Sequence, residues 1–203
     1  MDIEIKKLTP DLAENYARFF DVTPHDDQTA KDELPCYCVT WRSDDTYACD
    51  ENGNWNHWFH TRDERRAQAV KFVKAGSLQG YLAYDGDNIV GWCNANAECR
   101  GCIDNLREFW PIDEHDANAK IKSIFCFVIA PELQRKGIAT QLLERVCKDA
   151  ADEGFDFVEA YVYKNFTEVA HDFRGPLAMY IKRGFSVFAE RDDKIVVRKA
   201  LKQ

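Results

Sequence analysis

The sequence lacks most of the features that would place it at a glance. No stretch is apolar for long enough to cross a membrane as a helix. Its first residues, Met1-Asp2-Ile3-Glu4, have neither the basic start nor the apolar run of a secretory signal. No low-complexity tail or disordered linker stands out. A basic excess is missing too: the formal net charge is −8, which argues against non-specific affinity for nucleic acid or an anionic membrane. Neither G-x-x-x-x-G-K-[ST] nor G-x-G-x-x-G occurs, which excludes the two commonest phosphate loops. These absences predict a soluble, cytoplasmic protein without nucleic-acid or membrane partners. Its eight cysteines are then expected as reduced thiols, not a disulfide framework.

What is present is enough for a sizeable core. Apolar residues make up 45% of the 203 and charged residues 31%, which predicts a single domain over 1–203 with a well-solvated surface. Residues 3–8 alternate apolar and charged side chains, as a half-buried strand does. Thr9-Pro10-Asp11 reads as a helix start, with Thr9 as N-cap and Leu12, Tyr16, Phe19 and Phe20 on one face. Periodicity fails over 21–60, which holds Trp41, Trp55 and Trp58. This stretch is expected to be a structured, irregular insertion on the substrate side.

Further along, the pattern is regular. Residues 61–75 predict a helix capped by Thr61 and ended by Gly76, with Ala69, Val70, Phe72 and Val73 inward. Residues 81–84 and 89–93 predict a hairpin, and Ile121–Ile129 a buried strand. The segment between them, 98–119, is polar and irregular. Residues 136–152 predict an amphipathic helix with a stripe at Ile138, Ala139, Leu142, Leu143, Val146, Cys147 and Ala150. A strand over 155–163, a short helix between Pro176 and Gly184, and strands over 185–188 and 195–198 complete the reading. The alternation predicts an α/β fold: a mixed sheet with helices on both faces.

The most informative stretch joins the buried strand to the long helix. It reads Ala130-Pro131-Glu132-Leu133, then Gln134-Arg135-Lys136-Gly137-Ile138-Ala139. A small-residue turn between a buried strand and a helix start leaves backbone N–H groups free to bind phosphate. A glycine there lets the backbone approach a pyrophosphate closely, although Gly137 could equally serve only to start the helix. Downstream stands Leu177-Ala178-Met179-Tyr180-Ile181-Lys182-Arg183-Gly184-Phe185.

Together, Q-x-x-G-x-A after a strand and Tyr-x-x-x-Gly-Phe before one resemble the two signatures of the GNAT superfamily of N-acetyltransferases. The resemblance runs from about residue 79 to the C-terminus. It implies a mixed, mostly antiparallel sheet flanked by helices, with acetyl-CoA as acyl donor and direct transfer of an acetyl or other short acyl group to an amine. It implies that Phe127, Val128 and Ile129 bind the pantetheine arm and thioester through their main chain, and that Gln134, Arg135, Lys136, Gly137, Ile138, Ala139 and Thr140 bind the pyrophosphate. Tyr180 matches the family's general acid, and Asn165 its cofactor-contacting asparagine, though the connection after Asn165 is longer than usual.

Other readings stand beside these. Tyr180 could be a core aromatic under the last strands. Glu159 lies inside an apolar run, where a carboxylate is costly unless paired. Burial would raise it toward a useful base, and an arginine partner would make it structural instead. Cys36-x-Cys38 and Cys99-x-x-Cys102, with Cys49, His57 and His60, have spacings compatible with zinc but complete no finger pattern, so no metal is expected. Cys126 as an acyl-carrying nucleophile is disfavoured, since no histidine lies near it in sequence. The acceptor expected is a small-molecule amine, cationic or aromatic, with a homodimer as the candidate assembly. The rival functions are a non-catalytic acyl-CoA-binding or protein-interaction module and a metal-stabilised scaffold.

Overall fold

The computed structural model describes residues 2–23, 35–39, 61–97, 110–111, 119–165 and 173–202. Trp41, Trp55, Trp58, Cys49, His57, His60, Cys99 and Cys102 lie outside the described residues, as does most of the expected insertion over 21–60.

Seven strands form one sheet: β1 (Ile3–Lys7), β2 (Gly80–Asp85), β3 (Asn88–Ala97), β4 (Ile121–Ile129), β5 (Phe157–Tyr163), β6 (Ser186–Arg191) and β7 (Lys194–Ala200). Their order is β1-β2-β3-β4-β5-β7-β6. Only β4 and β5 run parallel, and the remaining neighbours are antiparallel. This is the mixed, mostly antiparallel sheet expected. Among the described residues, four α-helices flank it: α1 (Ala13–Val22), α2 (Arg62–Ala75), α3 (Ile138–Asp152) and α4 (Leu177–Ile181).

The helices segregate because strand side chains alternate between faces. On one face Val158, Ala160 and Val162 of β5 and Cys93 of β3 pack with Leu142, Leu143 and Val146 of α3 and Tyr180 of α4. On the other, Trp92, Leu82 and Cys126 pack with Tyr16 and Phe20 of α1 and Phe72 of α2. Trp92 is wholly buried, with Tyr16 edge-on at 4.7 Å. Truncating a core aromatic of this kind costs about 3–5 kcal/mol. The short segment 35–39 joins this face: Tyr37 and Cys38 are buried there, and Tyr16 donates to the Tyr37 carbonyl at 2.6 Å.

Local signals explain most boundaries. Thr61 and Glu64 form a reciprocal capping box at the head of α2, and Gly76 ends that helix in a left-handed conformation. Thr9 makes no side-chain cap; Pro10–Leu12 form a 3₁₀ turn that leads into α1. Strand β3 extends four residues beyond the expected end at Cys93. Its extension is polar but satisfied: Asn96 accepts the Gln79 amide at 3.0 Å and donates to the Asn94 side chain at 2.5 Å. Helix α3 starts at Ile138, two residues later than the periodicity predicts, because Gly137 is left-handed.

Candidate active site

The site begins with one extra residue. Ala95 pairs with Ile124 and Asn94 with Cys126, so Phe125 of β4 has no counterpart on β3. A β-bulge of this kind bends its strand and increases the twist. The parallel pairing of β4 with β5 ends at the same place, with Ile124 opposite Ala160. Beyond it the strands form a fork, and the outward polar groups of Phe127 and Ile129 need partners other than β5. The Phe127 N–H donates to the Phe173 carbonyl at 2.5 Å. The Ile129 carbonyl accepts from the Gln134 amide at 3.5 Å.

The chain leaves β4 through a 3₁₀ turn, Pro131–Leu133, and reaches α3 through Arg135 and Gly137, both left-handed at φ 60° and 86°. A side chain at Gly137 would meet nothing within 4 Å, yet the backbone angle is one that only glycine adopts without strain. The first turn of α3 has N–H groups without intrahelical acceptors. These elements border a cavity of about 600 Å³. Of the expected cofactor residues, Phe127, Ile129, Gln134, Arg135, Gly137, Ile138, Ala139 and Thr140 line it. Val128 faces the opposite side of the sheet, while Lys136 and Asn165 are exposed away from the lining. Phe173, Gly175, Pro176 and Met179 complete the far wall. Of these, Phe173 and Gly175 carried no signal in the sequence.

Tyr180 stands behind that wall. It is wholly buried, edge-on to Phe185 at 5.2 Å, and its hydroxyl donates to the Arg174 carbonyl at 2.7 Å. Burial pushes its hydroxyl well above the ordinary tyrosine value, so it keeps its proton. Glu159 is also fully buried, on the opposite face. Arg198 donates to one carboxylate oxygen through Nε at 2.8 Å and Nη2 at 2.6 Å, and Tyr161 donates to the other at 2.9 Å. This is the arginine-partnered arrangement; a carboxylate so held is poorly placed to take a proton from an incoming amine.

Cys36 is exposed while Cys38 is buried with its sulfur 3.2 Å from that of Cys126, so this pair does not converge. Among the described residues, no group of three or more His, Cys, Asp or Glu could hold a metal ion. Nor is any described helix long and apolar enough to cross a membrane.

The sequence profile of the acetyltransferase (GNAT) family matches residues 31–185. The chain belongs to the GNAT family. Solved structures agree on the fold. The PaiA N-acetyltransferase from Thermoplasma acidophilum, in complex with coenzyme A, superimposes with a TM-score of 0.53 at 16% identity, over 98% of this chain and 99% of that one. A GNAT acetyltransferase from Streptococcus pneumoniae gives 0.53 at 15%, over 99% and 100%. An N-acetyltransferase from Staphylococcus aureus Mu50 gives 0.53 at 14%, over 99% of each. No curated protein sequence matches the chain. In this GNAT chain, therefore, the glycine loop and the fork sit on a fold shared with these structures.

Proposed function

We propose that this chain is an acetyl-CoA-dependent N-acetyltransferase that acts on an amine by direct attack. The observation that carries the reading is the conjunction of an open, left-handed Gly137 loop with a 600 Å³ cavity and a forked β4–β5 pair. The residues fit the cofactor. Amides at the head of α3 suit a pyrophosphate, and Phe127 and Ile129 offer main-chain groups to an extended pantetheine arm. The coenzyme A complex of the PaiA N-acetyltransferase, which shares this fold, supports the same assignment.

Acetyl-CoA supplies the thioester. The amine nitrogen forms a C–N bond as the C–S bond breaks, the amine loses a proton to water, and the sulfur gains one. Tyr180, held protonated, is the donor we assign to that sulfur once its hydroxyl leaves the Arg174 carbonyl. We assign Glu159 the task of orienting Tyr161 and leave the amine proton to solvent. The engaged Tyr180 hydroxyl also favours a second reading, a non-catalytic acyl-CoA-binding module. Release of free thiol from acetyl-CoA across a panel of amines decides between them: turnover with any amine supports the enzyme, and tight binding without turnover supports the module.

A further inference from the structure

The far wall of the cavity is a strap, residues 173–175, that passes through the fork. Two consecutive carbonyls of this strap hold two donors of the cleft: Phe173 accepts the Phe127 N–H, and Arg174 accepts the Tyr180 hydroxyl. Both donors belong to the machinery assigned above, so an acyl donor that uses them must displace both carbonyls. The Arg174 side chain reaches the opposite face of the sheet. Its guanidinium, nearly buried, lies 4.8 Å from the centre of the Trp110 ring and 4.9 Å from that of Phe173.

Trp110 is not an isolated partner. It packs against Tyr161 at 6.1 Å and Tyr163 at 5.2 Å, and Tyr161 stacks on Phe125 at 5.7 Å. Phe125 is the bulged residue and Tyr161 is the first residue of β5 past the last parallel pair. The aromatic cluster therefore sits at the mouth of the fork, on the face away from α3. Aromatic faces attract cations, the more so when water is excluded. Arg174 shows that this cluster accepts a planar cation.

We propose that this cluster, with Trp110, Tyr161 and Tyr163 at its centre, is the acceptor site for an amine that carries a second, cationic end, and that Arg174 occupies the place of that end until the acyl donor displaces the strap. This rests on the acyl-transfer reading above. It narrows the acceptor to diamines, polyamines and amino-guanidines, and it sets an order in which the acyl donor binds first. The contrary assignment keeps Arg174 in place, where it would recruit an acceptor bearing a carboxylate.

Three amines of matched length separate these assignments: 1,4-diaminobutane, butylamine and 4-aminobutanoate. Turnover is measured by thiol release from acetyl-CoA, and binding by calorimetry on protein saturated with coenzyme A. The diamine is expected to be preferred over 4-aminobutanoate at least tenfold in kcat/KM and to bind more tightly. Trp110→Ala should erase that preference, and Tyr163→Leu serves if the former fails to fold. Arg174→Ala, which removes the competing cation, should lower KM for the diamine several-fold. Preference for 4-aminobutanoate that disappears in Arg174→Ala overturns the proposal, as does equal use of all three amines or a diamine that fails to bind the cofactor-saturated protein. Failure of coenzyme A itself to bind is a separate result: it removes the acyl-transfer reading, and the acceptor site with it.

Discussion

Two connections lead from the central strands into helices through a left-handed glycine, and they do opposite things. At Gly137, φ is 86° and an added side chain would meet open space. At Gly175, φ is 82°, but an added Cβ would lie 2.8 Å from the Met179 methyl and 3.6 Å from the Phe127 ring. The first connection borders an open cavity with the first-turn amides of α3, which have no acceptor within the helix. The second delivers carbonyls to groups that already have donors to give. The same backbone device thus opens one side of the cleft and closes the other; what differs is the polarity of the main-chain groups presented and the room behind the glycine.

The sharpest way to break this contrast is at the closed side. Tyr180→Phe should lower turnover on the order of 10²–10⁴-fold if the hydroxyl protonates the leaving thiolate. Cofactor affinity should stay nearly intact, and stability should fall by about 1 kcal/mol through the lost hydrogen bond. Full turnover by the folded variant across the pH range would remove Tyr180 from the chemistry.

At the open side, acetyl-CoA at a hundredfold excess over its dissociation constant should stabilise the protein by about 2.7 kcal/mol. Gly137→Glu places negative charge and bulk at the mouth of the loop and should abolish that gain. A thermal shift retained by the folded variant would show that the cofactor binds elsewhere.

Gly175→Ala sharpens the comparison at smaller scale. The left-handed angle alone costs about 1–2 kcal/mol for an L-residue, and the Met179 contact adds to it. Chemical denaturation should show that loss, while acetyl-CoA affinity should hold or improve, since the strap it displaces is weakened. A fall in affinity would make the strap part of the binding site instead of its competitor.

The smallest effect is a control outside both connections. Burial alone would raise the Glu153 carboxyl, but Lys7 and Lys122 outweigh burial and hold it below the usual range. Its contribution is therefore present above the ordinary glutamate pKa and lost as pH falls through the lower folded value. The Lys7 arm is partly exposed but Lys122 is buried, so Glu153→Gln, which still offers Lys122 an amide oxygen, should cost about 1 kcal/mol at neutral pH, with the difference vanishing in acid. A pH-independent difference would mean that the charge is not what matters.

Legibility in the sequence followed a physical divide. Strand β4, the α3 stripe and the capped α2 were readable because their signals are local: alternation, helical period, a capping residue and its partner three positions on. The loop at Gly137 was readable for the same reason. The strap was not. Nothing in Phe173-Arg174-Gly175 announces that its carbonyls meet Phe127 and Tyr180, because one of those meetings bridges 46 residues of chain and crosses the sheet. Glu159 shows the middle case. Its burial followed from the apolar run around it, but the choice between base and ion-pair partner depended on Arg198, which alternation alone does not bring to it. The expected strand stopped at Cys93, four residues short, because Asn94 and Asn96 interrupt the apolar pattern, whereas both buried amides find partners in each other, in Gln79 and in Cys38.

The single unmatched residue at Phe125 has a consequence for how the chain could change over time. Side chains on a strand change face with every position, so removing one residue there would put Ile121–Ile124 out of phase with Phe127 and Ile129. Point substitutions across the cleft can vary what is bound, but a one-residue deletion at this place would turn the cavity-lining Phe127 and Ile129 to the other face relative to Ile121–Ile124. Length between Ser123 and Phe127 is therefore the less negotiable property of this chain, and the identity of the residue at 125 the more negotiable one.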